Sequence, residues 1–378
     1  MQQRPPHDAT PDSSQASPYE APAADAKPAQ AAGSEPQSPP AALKGHPIGF
    51  WFFFWGELAE RCSYYGMRAI LTLYMVDQLG FSDGLASSAM SYFIAGCYLL
   101  PLAGGFVADR FFGKYWTIVG FSIPYILGHV ILGVEKVPFL IVALILLAMG
   151  SGVIKPNIST LMGLTYDQQR PGQEKLRSDA FAMFYWAINL GAAVSSFAMP
   201  VIRSRMNYAI AFLFPAALMA VSFAIFAAGK RFYAVETLNK EKKTEEERQE
   251  ERSVLWRISG LFAVVTFFWS IFDQAASTWI LFARDYLDLN AFGYKLEPDM
   301  IQGANPILIL VLLPPISVLW RVLANAGWNL RATDKMMIGF VLTTVTMGLM
   351  SAAGFLTSSE EKVSVAWEIG AYVIITIA

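Results

Sequence analysis

Long runs without a single charge constrain this chain more than any other feature. Residues 139–149 and 307–313 carry none, and the charged side chains gather in short segments between such runs. About 20 successive apolar residues are what a helix needs to cross a hydrocarbon layer roughly 30 Å thick. In that layer the backbone must satisfy its own hydrogen bonds, so a chain of this kind folds as a stack of membrane-spanning helices. Nine complete apolar spans and the start of a tenth can be counted: 51–76, 85–108, 115–134, 138–164, 180–201, 208–229, 255–283, 300–320, 336–356 and a last one opening near Ser364. Composition agrees, with 54% hydrophobic and 15% charged residues, where a soluble domain carries about a quarter charged.

The first 45 residues differ. They are rich in Pro, Ala, Ser and Gln with one aromatic, Tyr19, too little apolar area to offset ordering, which predicts a disordered tail over 1–45. This stretch has no apolar centre, so it does not read as a secretory signal. The net charge of −2 and the lack of a basic patch give no sign of nucleic acid. Cys62 and Cys97 fall inside apolar spans and read as core residues rather than a disulfide framework. No metal-ligand spacing, phosphate-cradling loop or nucleophile elbow is present. Neither a cofactor nor an enzyme is therefore expected, and any energy source is an ion gradient or the substrate's own. His129, inside span three, and Glu368, near the outer end of span ten, read as a core histidine and an interfacial acid. The aromatic run 51–55 reads as an interfacial belt.

Loop charges orient the stack. With the amino terminus inside, inner loops hold 16 Lys and Arg against 6 outside, and the basic side is cytoplasmic. This predicts a multi-pass protein of the cell (inner) membrane with a cytoplasmic amino terminus. The longest inner segment carries a dense mixed-charge run, 240–248, between spans six and seven. It divides the chain into a six-helix bundle at 46–229, a charged linker at 230–254 and a partial second bundle at 255–378. Two halves joined this way match the major facilitator architecture, in which substrate binds near the midplane between them. The loop after span two strengthens the match. Gly105, Asp109, Arg110, Gly113 and Lys114 fit a G-x-x-x-D-R-x-x-G pattern resembling the gating loop of that superfamily, with glycines for close approach and an acid–base pair as a latch. The loop after span eight is likewise short and basic.

Six ionisable residues fall inside spans: Glu57, Glu60, Arg61, Arg68, Lys155 and Asp273. Each marks function by default, because burying charge in a bilayer is costly. Ionised, they cancel, as a polar cavity requires. On span one, Glu57, Glu60, Arg61, Tyr64, Tyr65 and Arg68 lie on one helical face at about 100° per residue. Two carboxylates beside one arginine cannot both stay ionised in every state, so one can exchange a proton.

These residues resemble a known family. Glu57 to Gly66 is similar to the E-x-x-E-R-F-x-Y-Y-G signature of the proton-dependent oligopeptide transporters of the major facilitator superfamily. Further matches follow in order: Gly152 to Asn157 resembles G-x-x-K-P-N, Phe184 to Gly191 resembles F-Y-x-x-I-N-x-G, and Asn305-Pro306 lies in span eight. The resemblance covers about 46–378 and implies a proton-coupled symporter of di- and tripeptides working by alternating access, an all-α fold of two six-helix bundles truncated here within helix ten. It implies that Glu57, Glu60, Arg61 and Asp273 couple protons and that Arg68 and Lys155 grip the substrate carboxylate. Asn189 and Asn305 would bond the peptide backbone, and Tyr64, Tyr65 and Tyr98 would line the pocket. The implied partners are small peptides, protons and the lipid bilayer. A related carrier of nitrate or another small organic anion, or a peptide-binding membrane receptor that moves nothing, are the alternatives.

Departures from the pattern set further expectations. Asp273 stands where the family carries Glu, which predicts a longer or water-bridged contact with Arg68. Cys62 replaces a Phe. The linker lacks the extra apolar helix pair of many bacterial members, as in a twelve-span version. Ala378 falls just before the acid expected to hold a substrate amine, so the gene is expected to continue to a Glu, a Ser-Pro pair and two more apolar spans.

Overall fold

The computed structural model describes residues 45–236, 244–291, 293–357 and 361–378. All of the expected tail but Gly45, and the linker residues 237–243, lie outside the described residues. Spans one to six are single helices: α1 (Ile48–Leu73), α2 (Asp83–Val107), α3 (Gly113–Leu132), α4 (Val137–Gln169), α5 (Glu174–Arg205) and α6 (Tyr208–Ala228). Span seven is split into α7 (Glu245–Phe272) and α8 (Thr278–Tyr286) by a tight turn at Asp273–Ala276. Spans eight and nine are α9 (Ala304–Asn325) and α10 (Ala332–Leu356), and the tenth begins as α11 (Ala366–Ile377). Among the described residues seven helical stretches are long and apolar enough to cross a membrane, one of them the continuous run Asp83–Leu132 that joins α2 and α3. The 26-residue α1 is long enough too, but it carries Glu57, Glu60, Arg61 and Arg68 along its length.

Side chains start several helices. The Ser82 hydroxyl accepts from the Leu85 amide at 3.3 Å, and the Asn207 side chain accepts from the Ile210 amide at 2.7 Å. Thr244 and Glu247 form a reciprocal capping box at the start of α7, satisfying donors a helix end leaves orphaned. The charged segment expected as a linker to residue 254 is therefore, from Glu245 on, the first turns of span seven. Prolines inside α2 to α6 and α9 are tolerated because, in a bilayer, neighbouring groups re-satisfy the backbone.

The main core lies within α1–α6, where α1 is wedged between α5 and α6 and α3 packs on α4. Phe50, Met67, Ile70, Tyr125 and Phe212 are wholly buried in it. A smaller core joins α8, α10 and α11 through Trp279, Ala283, Met350 and Tyr372. Glu368 belongs to this second region: it is 1% exposed, so it is a buried acid and not an interfacial one. Period alone could not place it, because α11 turns this residue toward its neighbours and not toward the rim.

At the end of the bundle away from the amino terminus, ion pairs tie the halves together. Arg203 of α5 meets Asp299 at 3.0 Å and Glu297 at 2.9 Å, and Arg284 of α8 meets Asp83 of α2 at 3.0 Å. Nearby, β1 (Leu287–Asp288) pairs in parallel with a second strand at Val363–Ser364. Asp299 is fully buried while the Glu297 side chain is 35% exposed, so their removal should not be equivalent. Asp299→Ala is expected to lower the unfolding midpoint in detergent by several degrees and Glu297→Ala by much less. A buried cation that loses its buried partner is costly, whereas one that loses a solvated partner is not. Equal midpoints for the two variants would remove this pair as a tie.

Candidate functional site

A cavity of about 320 Å³ opens between the halves. Its walls come from α1 (Tyr65, Arg68), α2 (Tyr98), α4 (Lys155) and α5 (Tyr185, Asn189) on one side. Trp269, Asp273, Gln302, Asn305 and Tyr372 close the other. Tyr65, Arg68, Tyr98, Lys155, Asn189, Asn305 and Asp273, singled out from the sequence, are thus brought together. Tyr64 is not among the lining residues. The polar face of α1 spans about 140° by helical geometry, and the cavity takes only the edge bearing Tyr65 and Arg68. Tyr64 is 7% exposed and packs its ring on Tyr65 and Phe93, with the Arg61 guanidinium 5.4 Å from its centre.

The break in span seven decides the geometry of the cross-half ion pair. Arg68 Nη2 donates directly to Asp273 Oδ1 at 2.5 Å, not through a longer or bridged contact as the shorter side chain suggested. The turn at Asp273–Ala276 carries the backbone toward α1 and makes up for the missing methylene. Thr72 holds it there, donating its hydroxyl to the Ala276 carbonyl at 2.7 Å. Non-helical backbone at membrane depth is tolerated where it lines a cavity and finds such partners.

Lys155 faces the cavity and makes no ion pair among the described residues, which leaves its three donors for a ligand. Asn189 donates its amide to the Tyr185 carbonyl at 3.0 Å, and Asn305 donates to Thr376 Oγ1 at 2.9 Å. In this arrangement each amide keeps its side-chain carbonyl as an acceptor. One wall therefore presents an unpaired cation, the opposite wall a carboxylate held by arginine, and amides and phenols lie between. Trp269, Tyr185, Gln302 and Tyr372 were not singled out from the sequence. Aromatic residues one turn before Asp273 were the available signal for Trp269, and Tyr185 sits inside the quoted span-five motif.

Behind this wall, Glu57, Glu60 and Arg61 are sealed from the cavity at 1%, 2% and 1% exposure. Arg61 Nε lies 3.0 Å from Glu57 and contacts Glu60 still more closely. Tyr125 donates its hydroxyl to Glu60 Oε1 at 2.9 Å. Glu57 Oε2 and Arg61 Nη2 have no partner among the described residues. Buried polar atoms are seldom left so.

The loop between α2 and α3 forms a single tight joint. Gly113 has φ 76°, a backbone state that residues with a Cβ rarely adopt. The close helix approach expected of Gly105 belongs instead to its neighbour: a Cβ on Gly104 would collide with the Val153 backbone, whereas the Gly105 position is open. Lys114 Nζ donates to Asp109 at 2.7 Å, and Arg110 is exposed. Glu236, after α6, accepts from the Lys114 and Tyr115 amides at 2.8 and 3.0 Å, capping α3 from outside the motif.

A bundle of membrane-spanning helices in two halves, with a charged cavity between them and coupled ion pairs on its walls, defines the class of multi-pass membrane carriers. The POT family (PTR2) matches residues 115–243 and 234–378, and the chain belongs to that family. It is similar to solute carrier family 15 member 1 of Homo sapiens, 31% identical over 364 residues, covering 80% of this chain and 51% of that protein. Peptide transporter family 1 of Drosophila melanogaster is 31% identical over 365 residues, covering 84% and 48%. The chain thus spans about half the length of the curated relatives it matches. Among solved structures it resembles the POT family transporter PepTSo, with TM-score 0.79, 30% identity, and 88% of this chain and 81% of that one covered. A POT family transporter in complex with a thioalcohol-conjugated peptide gives TM-score 0.74 at 25% identity, with 88% and 81% covered.

Proposed function

We propose that the protein imports di- and tripeptides with protons by alternating access, across a cell membrane in which its amino terminus is cytoplasmic. The observation that carries this reading is an unengaged Lys155 beside Arg68 on one cavity wall, with the Asp273 carboxylate facing them from the other. A zwitterionic peptide needs a cation at one end, an acid at the other, and neutral donors and acceptors between. The cavity volume also suits a small ligand. Family membership and the peptide bound in one solved relative support the same substrate class.

In this reading Arg68 and Lys155 receive the carboxylate, Asn189 and Asn305 the backbone, and Tyr65 and Tyr98 the side chains. Glu57, Glu60, Arg61 and Asp273 move the proton. The ties Arg203–Asp299 and Arg284–Asp83 stand for the closed outer side, and the Asp109–Lys114 joint for the cytoplasmic hinge. Protonating Asp273 would release Arg68 and let the outer side open. The test is uptake of a labelled dipeptide into proteoliposomes holding the full-length protein, with and without an inward proton gradient. Uptake above equilibrium only with the gradient is expected. Equal uptake under both conditions sinks proton coupling, and none under either sinks peptide transport. Asp273→Ala should leave counterflow but reduce gradient-driven uptake about tenfold or more, since one buried, hydrogen-bonded charge pair is lost. Unchanged driven uptake in that variant would take Asp273 out of the coupling.

A further inference from the structure

A buried hydrogen-bonded column runs through α1, α3 and α6 beside the Glu57–Glu60–Arg61 cluster. The Ser63 hydroxyl donates to the Pro215 carbonyl at 2.7 Å, and that commits its only hydrogen. The contact at 2.9 Å between Ser63 Oγ and His129 Nε2 must then run the other way, with Nε2–H donating and the serine oxygen accepting. The tautomer of His129 follows from its neighbour. His129 is wholly buried, and its Nδ1 has no partner among the described residues. The ring is thus held by one hydrogen bond and by stacking on Tyr125, one turn earlier on α3, with centroids 5.1 Å apart and planes 27° apart. The hydroxyl of that same Tyr125 is the one donated to Glu60 at 2.9 Å.

We infer that His129 is a positioning residue for proton coupling: anchored on Ser63, it holds the Tyr125 ring so that the hydroxyl stays on the Glu60 carboxylate. This rests on the proposed proton-coupled reading and adds two residues to it. The charged and titratable groups around Glu60 are Glu57, Arg61 and Cys62 on α1, Tyr125 on α3 and Lys155 on α4. From α5 no charge intervenes between Asp179 and Arg203, and α6 offers the column only the Pro215 carbonyl. Tyr125 is therefore the one hydroxyl donor that reaches Glu60 among the described residues. A donor to a carboxylate favours its ionised form.

The experiment is the pH profile of gradient-driven dipeptide uptake, with counterflow as the control for folding. Tyr125→Phe should move the midpoint upward by about one pH unit, the worth of a hydrogen bond to a charged group. His129→Leu should move it the same way by a smaller amount, because the hydroxyl is then unsteadied rather than absent. The double variant should move no further than Tyr125→Phe alone, since both changes act through one bond. Where His129→Leu loses counterflow, His129→Phe carries the test, keeping the ring but not the N–H, with the same expected direction. A wild-type profile in whichever His129 variant retains counterflow overturns the inference, as does a double shift equal to the sum. A wild-type protein with no acceleration by acid overturns proton coupling itself, and this inference with it.

Discussion

Lys155→Ala in the full-length protein is expected to abolish gradient-driven dipeptide uptake, with residual rates about 10- to 100-fold below the wild type. The range is that of one charge-assisted hydrogen bond to a carboxylate, about 1.5–3 kcal/mol. Two effects act together. The cavity loses the cation that no acid engages among the described residues. The Glu57–Glu60–Arg61 cluster behind it also loses nearby positive charge, because Lys155 lies within electrostatic reach of both acids. Lys155→Arg is not a neutral control, since a planar fork replaces a compact ammonium. Near-normal driven uptake in a folded Lys155→Ala protein would show that the carboxylate is held elsewhere.

Replacing Glu57 or Glu60 with glutamine is expected to remove the acceleration of uptake by external acid while leaving peptide counterflow. Counterflow needs the gates to move but no net proton movement. The two acids share one arginine at near-zero exposure, so a proton taken by either changes the charge of the whole cluster. Glu60→Gln should be the more disruptive to the pH profile, because it also replaces the charged acceptor of the Tyr125 hydroxyl with a neutral amide oxygen. Unchanged pH dependence in both variants would remove the cluster from proton coupling.

The membrane class and the nine-plus-one span count were legible because apolar runs of bilayer length are a long, redundant signal. The charged face of α1 was legible because a single helix has a fixed period, so residue spacing alone places side chains around it. Family motifs then pointed to Lys155, Asn189 and Asn305, and the structure gathers these around one cavity. Other features could not be seen this way. Glu236 caps α3 from the segment after α6 and Tyr125 reaches Glu60, both through contacts distant in sequence, and Glu368 is buried.

The sequence by itself determined what must be inside the membrane and which charges have to be paired there, since both follow from local composition and the cost of burial. Only the tertiary structure decided which partner each charge takes and which edge of a helix meets the cavity. Span seven shows why. A continuous helix and a broken one read alike in hydropathy, yet the turn at Asp273–Ala276 is what brings a short carboxylate within 2.5 Å of Arg68. Hydropathy sums over a window of residues, whereas an ion pair depends on the position of two atoms carried by helices more than 200 residues apart in the chain.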